Sequence, residues 1–139
     1  MFIPIVDQAT TYDVAQLAAS TSQEVELVGL LDVSAFSTGL FVLRVHGNNL
    51  DAQVSAIIRA YAIWPTANRG EYLTFEEASA LIDSDSITSG TAVGLYLDSS
   101  VTGLRAPFAR FVVRFSCGGT AATGVGDLTL SVGMLAYPL

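Results

Sequence analysis

Phe108-Ala109-Arg110-Phe111-Val112-Val113-Arg114-Phe115-Ser116-Cys117 decides the fold. Ala109, Phe111, Val113, Phe115 and Cys117 fall on one side of an extended chain, and Arg110, Arg114 and Ser116 fall on the other. Side chains alternate across a strand with a period of two, so the stretch reads as a strand with one face on a core. Working outward, the same period recurs. Leu128, Leu130, Val132 and Met134 alternate with Thr129, Ser131 and Gly133, and Phe41, Leu43 and Val45 oppose Leu40, Val42, Arg44 and His46. Glu24 and Glu26 point out while Val25 and Leu27 point in, and Thr91–Asp98 sets Val93, Leu95 and Leu97 against Ala92, Gly94 and Tyr96. Five such segments bounded by Gly, Ser, Thr and Asn clusters argue for an all-β fold, an antiparallel two-sheet β-sandwich of jelly-roll or Ig-like type.

Three stretches need a choice. Asn49–Trp64 carries Val54, Ile57, Ile58 and Tyr61 at helical spacing, with Asn49 or Asp51 as a cap. As a strand it places Val54, Ala56, Ile58, Ala60, Ala62 and Trp64 on one face, and the β surroundings favour that reading. Gly47-Asn48-Asn49 then predicts a hairpin with Thr38–His46. Thr74-Phe75-Glu76-Glu77 has the pattern of a capping box and predicts a short helix through Ile82. Thr11 predicts a second short helix over Tyr12–Ala19. Pro65–Glu71, Asp83–Gly90 and Gly118–Gly126 read as loops.

The chain has 139 residues, 51% of them hydrophobic and only 14% charged. That length and apolar content suit one domain over residues 1–139, with 1–10 as an extended N-terminal arm. Cys117 is the one cysteine, so a disulfide scaffold is excluded. Thirteen acidic side chains against six basic ones give a net charge of −7, and all six cations are arginines. An acidic chain without lysine lacks the basic stripe that a phosphate backbone requires, which argues against nucleic acid as a direct partner. The apolar stretch Phe2–Val6 is broken by Pro4 and stopped by Asp7, so neither a signal peptide nor a membrane span is expected, and synthesis in the cytoplasm follows. Low charge leaves little polar surface for a free monomer, which points to a surface partly covered by neighbours.

No motif names a reaction. Cys117 and His46 are the candidate nucleophile and base, but Cys117 lies on the apolar side of its strand, where cysteine behaves as a small hydrophobe. Asp83-Ser84-Asp85-Ser86 begins like a calcium loop, yet Ile87, Thr88 and Gly94 stand where the third ligand, the glycine and the distal glutamate belong. A looser carboxylate set would draw on Glu71, Glu76, Glu77, Asp83 and Asp85. The glycines at 118–119 and 124–126 precede a strand rather than a helix, so they form no phosphate cradle. No catalytic residue, metal or cofactor is expected. Arginine's planar fork suits interface ion pairs, which makes Arg110, Arg114 and Arg59, with the aromatic Trp64, the interface candidates. Trp64, Tyr61, Tyr72 and Tyr96 would carry an alternative role in carbohydrate or receptor binding.

The strand at 107–114, the Gly/Thr/Ala turn at 118–126 and the final strand Leu128–Tyr137 resemble the small β-sandwich structural proteins of tailed-phage virions, the capsid decoration or cement type. The resemblance covers the C-terminal third closely and the remainder by pattern. It implies non-enzymatic binding to a protein lattice, of major capsid or another virion protein, together with self-association as a homo-oligomer. It implies a virion location and assigns no functional residue.

Overall fold

The computed structural model describes residues 1–14, 17–68, 72–98, 102–103, 106–122 and 126–138, with 66–68, 72–82 and 102–103 described by their backbone. Nine strands occur in it: β1 (Phe2–Asp13), β2 (Ser22–Asp32), β3 (Phe36–Asn48), β4 (Val54–Asn68), β5 (Tyr72–Asp83), β6 (Gly94–Leu97), β7 (Thr102–Gly103), β8 (Phe108–Cys117) and β9 (Asp127–Pro138). Sheet A has the order β1-β9-β3-β6, with β7 also on β3, and sheet B has the order β2-β8-β4-β5. Every pairing is antiparallel.

The pairs are nested. β1 joins β9, β2 joins β8, β3 joins β6 and β4 joins β5, alternately in the two sheets. The chain is therefore doubled on itself like one long hairpin and then rolled, which sets β9 against β3 and β8 against β4. That arrangement is the jelly roll, an architecture that also builds viral capsid and lectin domains and cupins. Of the two sandwich types read from the sequence, the nested pairing selects this one.

The core lies between the sheets. Phe41, Leu43 and Val45 of β3 and Leu128, Leu130, Val132 and Met134 of β9 face Phe111, Val113 and Phe115 of β8 and Ala56, Ile58 and Ala60 of β4, all buried. Phe41 and Phe111 meet edge to face at 6.2 Å and 89°, across the two sheets. Tyr12 of β1 packs on Phe115 of β8 at 6.3 Å. Small alanines along β4 leave room for these rings.

Several expectations need correction. Neither helix forms among the described residues. Tyr12 and Asp13 continue β1 opposite Leu128 and Asp127, and the Oγ atoms of Thr11 and Thr129 are 2.8 Å apart. The ladder thus engages the backbone that a helix would need. Thr74–Ile82 is part of β5, paired with β4 from Arg59 to Asn68. Helices of two turns have little stability of their own, and a neighbouring strand wins. Phe2–Thr10 lies extended along β9 as the first part of β1.

The strand reading of Asn49–Trp64 holds, but the hairpin does not. The chain crosses at Asn49–Gln53 from sheet A to sheet B, so β4 pairs β5 and β8 rather than β3. β4 also runs through Pro65, which lies beyond the end of β8 and has a strand on one side only, where proline is tolerated. In β6 the phase is reversed. Tyr96 sits opposite Leu43, while Leu95 and Leu97 sit opposite Arg44 and Val42 on the outer face.

Candidate functional site

Two outer faces present themselves to a partner, and their chemistries differ. On sheet B, the strand period sends Glu24 and Glu26 of β2, Arg114, Val112 and Arg110 of β8, and Ile57, Arg59 and Tyr61 of β4 outward. Arg110 Nε donates to Glu26 Oε1 at 3.0 Å, and its guanidinium lies 5.6 Å from the Tyr61 ring centre. Arg59 approaches the same ring at 5.9 Å and grips Asp83 with two bonds, Nε to Oδ1 at 2.7 Å and Nη2 to Oδ2 at 3.0 Å. The paired carboxylate holds the Arg59 guanidinium protonated more firmly than usual, with Tyr61 adding to it. Tyr61 Oη donates to Glu24, and Arg114 Nη2 donates to Ser22 Oγ at 3.2 Å. Val112 is fully buried beneath this layer. The long side chains cover apolar surface with their stems and satisfy each other's charge.

The sequence candidates Arg59, Arg110 and Arg114 are thus brought together on one face, each bonded within the chain. Trp64 stands apart just past the point where β4 leaves β8, 42% exposed, although its phase is that of the core-facing residues. The side chains of Tyr72, Glu76 and Glu77 lie outside the described residues, as do Glu71, Arg69, Arg105 and Gly124.

Sheet A is different. Its outer face carries Phe2 and Pro4 of β1, Leu135, Gly133 and Ser131 of β9, Leu40, Val42 and Arg44 of β3, and Leu97 and Leu95 of β6, aligned by register. Phe2, Leu95 and Leu97 are all more than half exposed. A shallow groove of about 160 Å³ crosses it, lined by Phe2, Pro4, Val42, Leu95 and Gly133 with Asp7 and Arg44 at one end. Sequence reading missed this face. The available signal was that 40–45 is apolar in both phases apart from Arg44, the mark of a strand covered on both sides.

A cleft of about 250 Å³ opens at the sandwich edge, lined by Leu43, Ile87, Tyr96, Asp85, Ser86 and Asp98. Its polar groups are engaged locally. Buried Asp98 accepts from the Asp85 N–H, and Tyr96 Oη donates to the Ala92 carbonyl. Buried Ser84 accepts from the Ile58 N–H at 2.8 Å.

The structure separates His46 from Cys117. His46 lies exposed on the outer face of sheet A, 3.0 Å from Ser131 Oγ, whereas Cys117 is buried in sheet B with Sγ 3.3 Å from the Thr120 carbonyl. Asp83, first residue of the stretch that begins like a calcium loop, is committed to Arg59. Among the described residues no three His, Cys, Asp or Glu side chains converge as a metal site would require. No helix there is long and apolar enough to cross a membrane.

The class defined by this fold is a jelly-roll β-sandwich. No protein-family model matches the sequence, and no curated protein matches it. A solved structure of infectious bursal disease virus, Gx strain, is similar to it, with 16% identity and a TM-score of 0.48. The match covers 96% of this chain and 30% of that one, so the chain spans less than a third of the viral protein's length.

Proposed function

We propose that the chain is a non-enzymatic structural protein of a virion, of the capsid decoration or cement type, which strengthens a protein lattice through protein–protein contacts. The observation that carries this reading is the outer face of sheet A, an apolar surface that none of the described elements covers, on a chain with few charges to keep it soluble. Such a face marks an interaction surface, and burying it supplies the stabilisation without bond chemistry. The jelly roll supports the choice of virion by analogy of fold, since viral capsid domains share it. The partners are then a major capsid or other virion protein and further copies of the chain.

Particles banded on a density gradient from cells producing the chain provide the test. Quantitative mass spectrometry is expected to find it in the particle band in a fixed ratio to the major capsid protein. Recovery only in the soluble fraction refutes the reading.

One observation favours a second reading, a carbohydrate- or receptor-binding module. The cleft at Tyr96 combines an aromatic ring with the carboxylates Asp85 and Asp98, and lectin domains also use the jelly roll. A glycan array distinguishes the two: specific binding lost in Tyr96→Ala supports the module.

A further inference from the structure

We infer that the outer face of sheet A pairs with the same face of a second copy, about a two-fold axis lying in the interface and running along β9. Three rows of residues cross this face. Phe2 of β1, Leu135 of β9 and Leu40 of β3 form the first, and Pro4, Gly133 and Val42 form the second. In the third, Ser131 of β9 pairs with Arg44 of β3. On its other side lies Asp7, in the irregular stretch of β1 between Val6 and Thr10, whose partners Val132 and Leu130 flank Ser131. Asp7 and Arg44 thus stand at one height on either side of β9.

An axis along β9 exchanges β1 of one copy with β3 of the other and keeps heights unchanged. Phe2 then meets Leu40, Pro4 meets Val42, and Asp7 meets Arg44, each contact made twice, as a two-fold interface demands. The charges fit this pairing. Arg44 and Asp7 line one groove, and among the described residues neither has an ion-pair or hydrogen-bond partner of its own. By contrast, Arg59 and Arg110 on sheet B are each bonded to a carboxylate. The chain carries −7, so copies repel overall. This part of sheet A, with one cation and one anion, is locally neutral and self-complementary. β1, β9 and β3 run 12, 12 and 13 residues. At ~3.3 Å per residue and ~4.8 Å per strand, the three strands that meet across the axis offer on the order of 600 Å² per copy, the lower limit for a stable interface.

The inference rests on the assembly reading and makes a second copy the occupant of that same face, so that the dimer is the unit that joins a lattice; its test needs no virion. Light scattering with sedimentation equilibrium on the purified chain is expected to show a dimer. Arg44→Asp and Asp7→Arg should each weaken it by at least about tenfold, because like charges then face each other. The double swap, Asp7→Arg with Arg44→Asp, should restore it to within about threefold, since opposite charges again meet across the axis. Both positions are exposed, and unchanged circular dichroism and melting will confirm that each variant is folded. A chain that stays monomeric at millimolar concentration overturns the inference while leaving the gradient test untouched. So does a dimer indifferent to the single reversals, or one that the double swap fails to rescue, which would assign the face to a different partner.

Discussion

The ring of Phe2 lies directly on Gly133, so closely that a β-carbon at that position would collide with the edge of the ring and come within 3.3 Å of the Ile3 carbonyl oxygen. The glycine is what lets β1 bring the edge of an exposed aromatic ring against β9. Gly133→Ala should displace the Phe2 side chain rather than unfold the protein, because the ring is exposed and can turn away. A loss of about 1 kcal/mol is expected. In Phe2→Ala the same substitution should cost less than about 0.5 kcal/mol, and denaturant melts of the four proteins check this non-additivity.

Phe41 and Phe111 join the two sheets through the centre of the core. Phe111→Ala should lose about 3–5 kcal/mol through the cavity it leaves. A double-mutant cycle with Phe41→Leu and Phe111→Leu should recover about 0.5–1.5 kcal/mol for the edge-to-face contact itself. Chemical denaturation supplies all four corners.

Arg59 and Asp83 form a two-bond pair that is only partly shielded from water. Their coupling in a cycle of Arg59→Ala and Asp83→Ala should be about 0.5–1 kcal/mol and should shrink in 1 M salt. Arg59→Lys should lose most of it, since an ammonium cannot make both bonds in the same fork.

Burial against Phe115 raises the pKa of the Tyr12 phenol above its ordinary value, despite a smaller opposing effect of a bond with Thr10. The folded state therefore holds that proton more tightly than the unfolded state. Its contribution is fully present below about pH 10, the unfolded pKa, and is lost as pH rises through the folded one. Melting temperatures of Tyr12→Phe should fall less steeply than those of the parent above about pH 10.

Cys117 is buried with its thiol directed at the carbonyls of Thr120 and Leu17. A thiol reagent should modify it slowly in the folded protein and at once in denaturant. Cys117→Ser should cost less than about 1.5 kcal/mol, because a hydroxyl finds the same acceptors and is not left unsatisfied.

How far the sequence carried this structure depends on range. Phe41, Leu43 and Val45, the β8 residues from Ala109 to Cys117, and the β9 residues from Leu128 to Met134 were legible because alternation is a property of each strand alone. Partners were not. Nothing in Val54–Trp64 says that its neighbours are β5 and β8, and the Gly47-Asn48-Asn49 turn suggested a hairpin where the chain changes sheets. The two expected helices failed for a related reason. Thr11 and Thr74 cap helices well, but threonine is equally at home in strands, and a long-range ladder decided between them. Of the candidate interface residues, the arginines were found together on sheet B. The apolar face of sheet A went unread because the period of Thr91–Asp98 alone does not say which side is covered, and the register of β6 on β3 turns Leu95 and Leu97 outward.

The nested pairing also governs when the molecule can form. β9 is the middle strand between β1 and β3, and β8 is the middle strand between β2 and β4. Each sheet therefore lacks its centre until β8 and β9, which follow their partners in sequence, have docked. Until then β1 and β2 have no partner strand, and β3 and β4, paired with β6 and β5, each keep one edge open, the condition in which strands recruit other chains. Such a topology must close long loops, between β1 and β9 and between β2 and β8, and folds in milliseconds to seconds, slow for a chain this small. Closure of the two sheet centres is then in competition with aggregation.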